Sequence, residues 1–199
     1  VGSVGYLWYS SKYDKKNHIR PYVFLTLADR GERKGWAEVW QAFTRAFGAP
    51  ETPEFMRDVR LIVKSRPNGN NVTEIIRKGY EPRKIIEGSM PDYRLVVLIE
   101  DTERTADLYA MADCLVLPSR HEGWGMPHRE AAMMGLPVIT QAVGGLDDGH
   151  LGEWSIPIDG GSWERIPRQT QHGNIAGEWR KADVDELATH MRLCYEDRQ

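Results

Sequence analysis

Two cysteines among 199 residues are too few to frame a disulfide-held fold. Cys114 falls in an apolar run and Cys194 in a helical stretch, so both read as small buried hydrophobes and the reducing cytoplasm is the expected setting. A long apolar span and a signal peptide are also missing, which leaves no transmembrane helix to expect. The chain starts at Val1 rather than methionine and is expected to be a fragment of a longer protein. Strong charge of one sign is absent too: 26 Lys and Arg against 29 Asp and Glu leave −3, which argues against a dedicated nucleic-acid binder. The chain shows neither an internal repeat nor a low-complexity tract. What is present, 41% hydrophobic and 28% charged residues, suffices for one sizeable core.

Residues 1–20 mix Gly, Ser, Tyr and Lys without a usable period and read as a linker or irregular entry, so the domain is expected over 21–199. Short apolar runs predict buried strands at Tyr22–Leu27, Arg60–Lys64, Leu95–Ile99, Cys114–Leu117 and Pro137–Thr140, with a sixth at Trp154–Ile158. Between them, Trp36, Val39, Trp40, Phe43 and Phe47 form one apolar helical face, ended by Gly48 and Pro50. Thr102 is a candidate cap for a helix that turns Leu108, Met111 and Ala112 inward. Ile75–Ile86 is ambiguous, and 159–181 reads as loop. Asp183 and Glu186 form a capping pair for a last helix carrying Val184, Leu187, Ala188, Met191 and Cys194. Strands alternating with helices predict an α/β, Rossmann-like three-layer domain with a mostly parallel six-stranded sheet.

In such sheets ligands bind beyond the carboxyl ends of the strands. Arg30, Arg33 and Lys34 follow the first predicted strand, Lys64 and Arg66 the second, Arg120 and His121 the fourth, and Gly144 and Gly145 the fifth. Cations and bare backbone thus gather on the edge where an anion binds. One stretch organises the chain: Pro118–Gly135 leaves the fourth strand, crosses a loop with Glu122, Gly123 and Gly125, and enters a helix at Pro127. Glu122 and Glu130 are poor phosphate ligands but good acceptors for hydroxyls. Cations for a diphosphate beside carboxylates for hydroxyls describe a nucleotide-sugar. Taken singly, a loop cation is ordinary solvated surface, and an acidic residue in a first helical turn suits the helix dipole. His121, Glu122 and His128 lack zinc-motif spacing, so no metal is expected.

The ordered set HEGWGMPHREAAMMGLPVITQAVGG, with LYAMADCLVLPSR upstream and GEWRKADVDELATHMRLCYED downstream, resembles the retaining GT-B glycosyltransferases of the large family 4 type (glycosyl transferases group 1). The likeness runs over residues 22–197. It implies that the chain is the carboxy-terminal, donor-binding half of a GT-B fold, with the acceptor domain elsewhere. It assigns Glu122 to the donor sugar's hydroxyls, Gly123, Trp124, Gly125 and Met126 to the sugar and phosphate, Glu130 to the ribose, and Lys34, with Arg30 or Arg33, to the diphosphate. In that role Lys34 and Glu122 are the catalytic pair, since fixed cations stabilise the charge that grows on a departing nucleoside diphosphate. The family's usual arginine soon after the first strand is missing, where the chain reads Thr26-Leu27-Ala28-Asp29.

What the resemblance implies is a retaining hexosyltransferase in the full-length protein, with this chain alone inactive. The donor would be UDP-, GDP- or ADP-linked, with no cofactor and no metal required. The acceptor, a glycan, lipid or protein, would be held by the other domain. Cytoplasmic location is expected, with peripheral association at the inner membrane face left open for the full-length protein. Two further readings are a non-catalytic nucleotide-sugar binding module and a GT-B-like sugar-nucleotide epimerase. A last one is an interaction domain with Trp8, Trp163 and Trp179 as exposed anchors.

Overall fold

The computed structural model describes residues 21–28, 32–48, 59–65, 95–98, 105–166 and 177–197. Six strands lie in one wholly parallel sheet: β1 (Tyr22–Leu27), β2 (Val59–Lys64), β3 (Leu95–Leu98), β4 (Cys114–Val116), β5 (Val138–Thr140) and β6 (Ile156–Pro157). Their order is β3-β2-β1-β4-β5-β6, so the winding reverses between β1 and β4. Among the described residues five α-helices accompany them: α1 (Trp36–Phe47), α2 (Thr105–Ala110), α3 (Met126–Met133), α4 (Leu151–Trp154) and α5 (Val184–Glu196). Expectations for Arg30, Thr102 and Ile75–Ile86 fall outside the described residues.

The strands read as unbroken apolar runs because both faces are covered. Along β1, Tyr22 and Phe24 enter one core cluster while Val23 and Leu25 enter the other. The first cluster takes the inner faces of α1 and α5, and the second takes α2 and α3 residues such as Leu108 and Ala131. These are the three layers. Phe47 sits at the centre of the first cluster, 5.7 Å from Phe24, 5.3 Å from Phe43 and 5.5 Å from Tyr195, ring centroid to centroid. Each such aromatic pair adds about 0.5–1.5 kcal/mol beyond its buried area. Trp36 is buried as expected, whereas Trp40 is half-buried and stacks on Phe43.

Three sequence expectations need correction. The described part of 159–181 is not all loop: β7 (Gly161–Arg165) and β8 (Glu178–Ala182) pair as an antiparallel hairpin. One strand of it is largely exposed, so it lacks the apolar alternation that would betray it. The strand expected at Trp154–Ile158 starts two residues later, because Trp154 closes a single helical turn in which the Ser155 hydroxyl donates to Leu151 O at 2.6 Å. Trp179 is no exposed anchor, being only 7% exposed, while Trp163 is 64% exposed.

The cap of α5 is half as expected. Asp183 accepts from the Asp185 and Glu186 amides at 2.9 and 2.8 Å. The Glu186 carboxylate does not return to Asp183; it accepts from the Asp159 and Gly160 amides at 3.0 and 2.6 Å, pinning the base of the hairpin. Among the described residues no helix is long and apolar enough to cross a membrane.

Candidate functional site

The loops after β1 and β4 flank the point where strand order reverses, the place where open α/β sheets open a crevice for ligands. Two glycine contacts bring these loops together. Gly35 caps α1 in the left-handed region, φ 65°, and a Cβ on it would collide with the Pro118 carbonyl oxygen. On the other side, Gly145 donates its amide to Glu122 O at 3.0 Å, and a Cβ on Gly144 would strike that same oxygen. The Glu122 loop is thus held between two backbone surfaces that no larger residue allows.

The result is a cluster of Arg33, Lys34 and Glu122. Lys34 and Glu122 are both buried, and the Lys34 ammonium donates to Glu122 Oε1. Arg33 approaches the same oxygen at 3.4 Å and donates to His121 O at 3.1 Å, with its side chain 39% exposed. Burial works to raise the Glu122 carboxyl, but the Lys34 hydrogen bond and the Lys34 and Arg33 charges hold it below its ordinary value. An ammonium has three donors and a carboxylate two oxygens. Lys34 therefore keeps donors for an anion while bonded to Glu122, and Glu122 keeps acceptor capacity for a hydroxyl.

From Glu122 the chain runs through Gly123 and Trp124 to Gly125, which caps α3 with no side-chain cap bond, and on to Met126. Trp124 and Met126 are 60% and 55% exposed. Glu130 lies one turn further along α3, away from the Lys34–Glu122 pair, and accepts from the Tyr109 hydroxyl at 2.9 Å. Burial and then the Glu130 carboxylate push the Tyr109 phenol above its ordinary value, so it stays a donor. Lys64 donates to Ser65 O at 2.9 Å, and Arg66 lies outside the described residues.

Arg120 is not a cation for an anionic ligand, because it is buried and surrounded by carboxylates. Its guanidinium pairs with Glu38 of α1, with Glu32 at 3.1 Å and with Glu164 of β7 at 3.6 Å, and it lies 4.9 Å over the Trp179 ring. Its amide donates to Arg33 O at 2.8 Å and its carbonyl accepts from Arg180 N at 3.3 Å. Gln141 adds to this joint, donating to Ser119 O at 3.0 Å and to Arg180 O at 2.8 Å. Arg129 is a second clamp that sequence reasoning did not single out. It lies 4.4 Å over Trp124 and 5.4 Å over Trp154, and bonds Trp124 O, Gly145 O and Asp148. Neither clamp carries a local sequence signal, since each gathers partners from distant segments.

Residues 36–165 match the family model described as glycosyl transferases group 1. The chain belongs to that family. It is 39% identical over 70 residues to a D-inositol 3-phosphate glycosyltransferase of Streptomyces coelicolor, an alignment covering 33% of this chain and 15% of that protein. It is also 29% identical over 90 residues to an uncharacterized glycosyltransferase of Sulfolobus islandicus rod-shaped virus 1, covering 44% of this chain and 26% of that one. Among solved structures, an α,α-trehalose 6-phosphate synthase from Burkholderia multivorans superposes with TM-score 0.61 at 16% identity, over 89% of this chain and 36% of that one. A UDP-forming relative from Burkholderia xenovorans gives 0.59 at 13%, over 89% and 37%. This group 1 chain thus shares the Rossmann-like α/β fold of those enzymes and spans little more than a third of their length.

One buried group in this group 1 domain makes stability pH-dependent. His128 of α3 is fully buried, its Nε2 2.9 Å from Leu117 O. Burial pushes the ring down to about 4, although the Leu117 carbonyl and the Glu122 charge pull upward. The unfolded ring titrates near 6.5, so between that value and about 4 only the unfolded chain binds the proton. The stability is complete above the unfolded value and is lost as pH falls through the folded one, by up to about 3 kcal/mol. Urea unfolding across that range is expected to show the fall, and His128→Gln, which keeps an N–H for Leu117, is expected to flatten it.

Proposed function

We propose that this chain is the donor-binding half of a retaining glycosyltransferase of the family 4 type, taking a nucleoside-diphosphate sugar. The observation that carries the reading is the Arg33–Lys34–Glu122 cluster at the switch point between β1 and β4, with two cations and a carboxylate within reach of one ligand. Arg33 and Lys34 would take the diphosphate oxygens, and Glu122 the sugar hydroxyls. Gly123 to Met126 would lie along the sugar and phosphate, and Glu130, held by Tyr109, would accept from the ribose. As the glycosidic bond lengthens, charge grows on the leaving diphosphate, and cations already fixed beside it lower the barrier. The nucleotide would leave from the face at which the acceptor enters, with Glu122 orienting the sugar; its ion pair with Lys34 suits that role better than attack. The acceptor and the transfer step belong to the whole protein, of whose relatives this chain matches the lesser part.

Thermal-shift titration with UDP, GDP, ADP and their sugars tests the reading. One nucleotide series is expected to raise the midpoint, with the sugar adding affinity. Glu122→Gln is expected to hold nucleoside-diphosphate affinity within about threefold while losing the added affinity of the sugar, about tenfold or more. Equal loss for both ligands would take Glu122 out of the sugar site.

A further inference from the structure

Arg33 and Lys34 come from the loop after β1, and Glu122 comes from the loop after β4. Adjacent cations repel, so the segment that carries them has to be held against the one that carries Glu122. Arg120 stands two residues before Glu122 and reaches across to that segment. Its amide donates to Arg33 O at 2.8 Å, and its guanidinium bonds Glu32 at 3.1 Å and also Glu38. Glu32 immediately precedes Arg33, and Glu38 lies in the first turn of α1, just beyond Lys34. One residue of the β4 loop thus grips the Arg33–Lys34 pair at its middle and on both sides.

We propose that Arg120 is the positioning residue of this site, a buried clamp that sets the Arg33 and Lys34 cations against Glu122. It acts through those three groups and does not itself touch the ligand. What the cluster binds rests on the donor-site reading given above; the clamp rests on its own contacts.

Stability alone does not call for an arginine here. A well-packed apolar pair of similar volume holds a fold as well as a buried ion pair, and often better. What a guanidinium adds is a rigid planar fork whose donors point at two carboxylates in fixed directions. That geometry sets the register of one loop on the other. The clamp is also backed from behind, because Arg120 O accepts from Arg180 N of β8 at 3.3 Å. The Trp179 ring lies 4.9 Å from the guanidinium and closes that side. Glu122 is held at its far side too, its carbonyl accepting from the Gly145 amide at 3.0 Å. A site built for a diphosphate needs its cations fixed to within a fraction of an ångström, which is what such a clamp supplies.

The test separates positioning from stability with the double variant Arg120→Met/Glu38→Leu, which removes both buried charges and keeps an apolar pair in their place. Hydrogen exchange is read residue by residue, without ligand. The amide at position 120 and that of Gly145 are expected to exchange about tenfold faster or more than in the wild type. The Leu115 and Leu117 amides, which bond Pro137 O and Ile139 O within the sheet, are expected to keep their rates. Calorimetric titration with UDP, GDP and ADP is expected to show about tenfold weaker binding or worse for whichever the wild type takes. Arg120→Lys keeps a charge for Glu38 but not the fork, and is expected to move the same two amides should the double variant fail to fold. Wild-type exchange at both amides together with wild-type affinity would overturn the proposal and leave Arg120 a purely structural ion pair. Faster exchange at those two amides, in a protein whose wild type binds none of the three nucleotides, would uphold the clamp and refute the donor reading alone.

Discussion

Arg120→Ala is expected to lower the unfolding free energy by about 3–5 kcal/mol, the loss seen when one partner of a buried ion pair is removed. The Arg120 side chain is 5% exposed and that of its Glu38 partner 3%, so neither has water to replace the other. Alanine would leave Glu38 charged and uncompensated beneath α1. Glu32 and Glu164 are 58% and 41% exposed and would be solvated in either case, so they add little. The double change Arg120→Met with Glu38→Leu removes both charges and is expected to restore most of the loss. Guanidinium-chloride unfolding of the wild type and both variants checks this, and a loss under about 1 kcal/mol for Arg120→Ala would mean the pair is not buried as described.

Lys34→Met is expected to have the largest effect on binding, weakening the nucleoside diphosphate about 10- to 100-fold, the worth of a charge-assisted hydrogen bond or two. The same change alters Glu122. With Lys34 present the Glu122 carboxyl lies below its ordinary value, so its contribution to stability is present above the unfolded carboxylate range and is lost as pH falls through the folded value. With Lys34 gone, burial, already the largest single influence, is opposed only by the Ser119 hydrogen bond and the Arg33 charge, and the carboxyl is expected to rise above its ordinary value. The sign of that contribution then reverses, and the variant loses stability toward neutral pH relative to acid. Unfolding curves at two pH values separate this from the binding loss, which is read by titration calorimetry.

The layers of the fold are legible because β1, β2, β4 and β5 are short apolar runs, and burial on both faces keeps those runs unbroken. The hairpin of β7 and β8 is not. Its strands are rich in charged residues, and besides the buried Trp179 and Ala182 it is anchored by Arg120, Gln141 and Glu186. The same holds for the site. Glu122, the glycines and Lys34 stand out as residue types in a loop after a strand. That Lys34 bonds Glu122 depends on β1 lying beside β4, which periodicity along one strand does not encode. By its position after β4, Arg120 groups with the edge cations; three carboxylates from distant segments decide otherwise. Arg129 and Tyr109 were invisible for the same reason, their partners being brought together by the fold.

On this reading the crevice between the β1 and β4 loops grips a diphosphate. Isothermal titration of the wild-type chain with UDP, GDP and ADP addresses it most directly. Saturable one-to-one binding of at least one of them is expected, weakened by added salt because fixed cations carry it. Absence of binding by all three, or binding that Lys34→Met leaves unchanged, would contradict it.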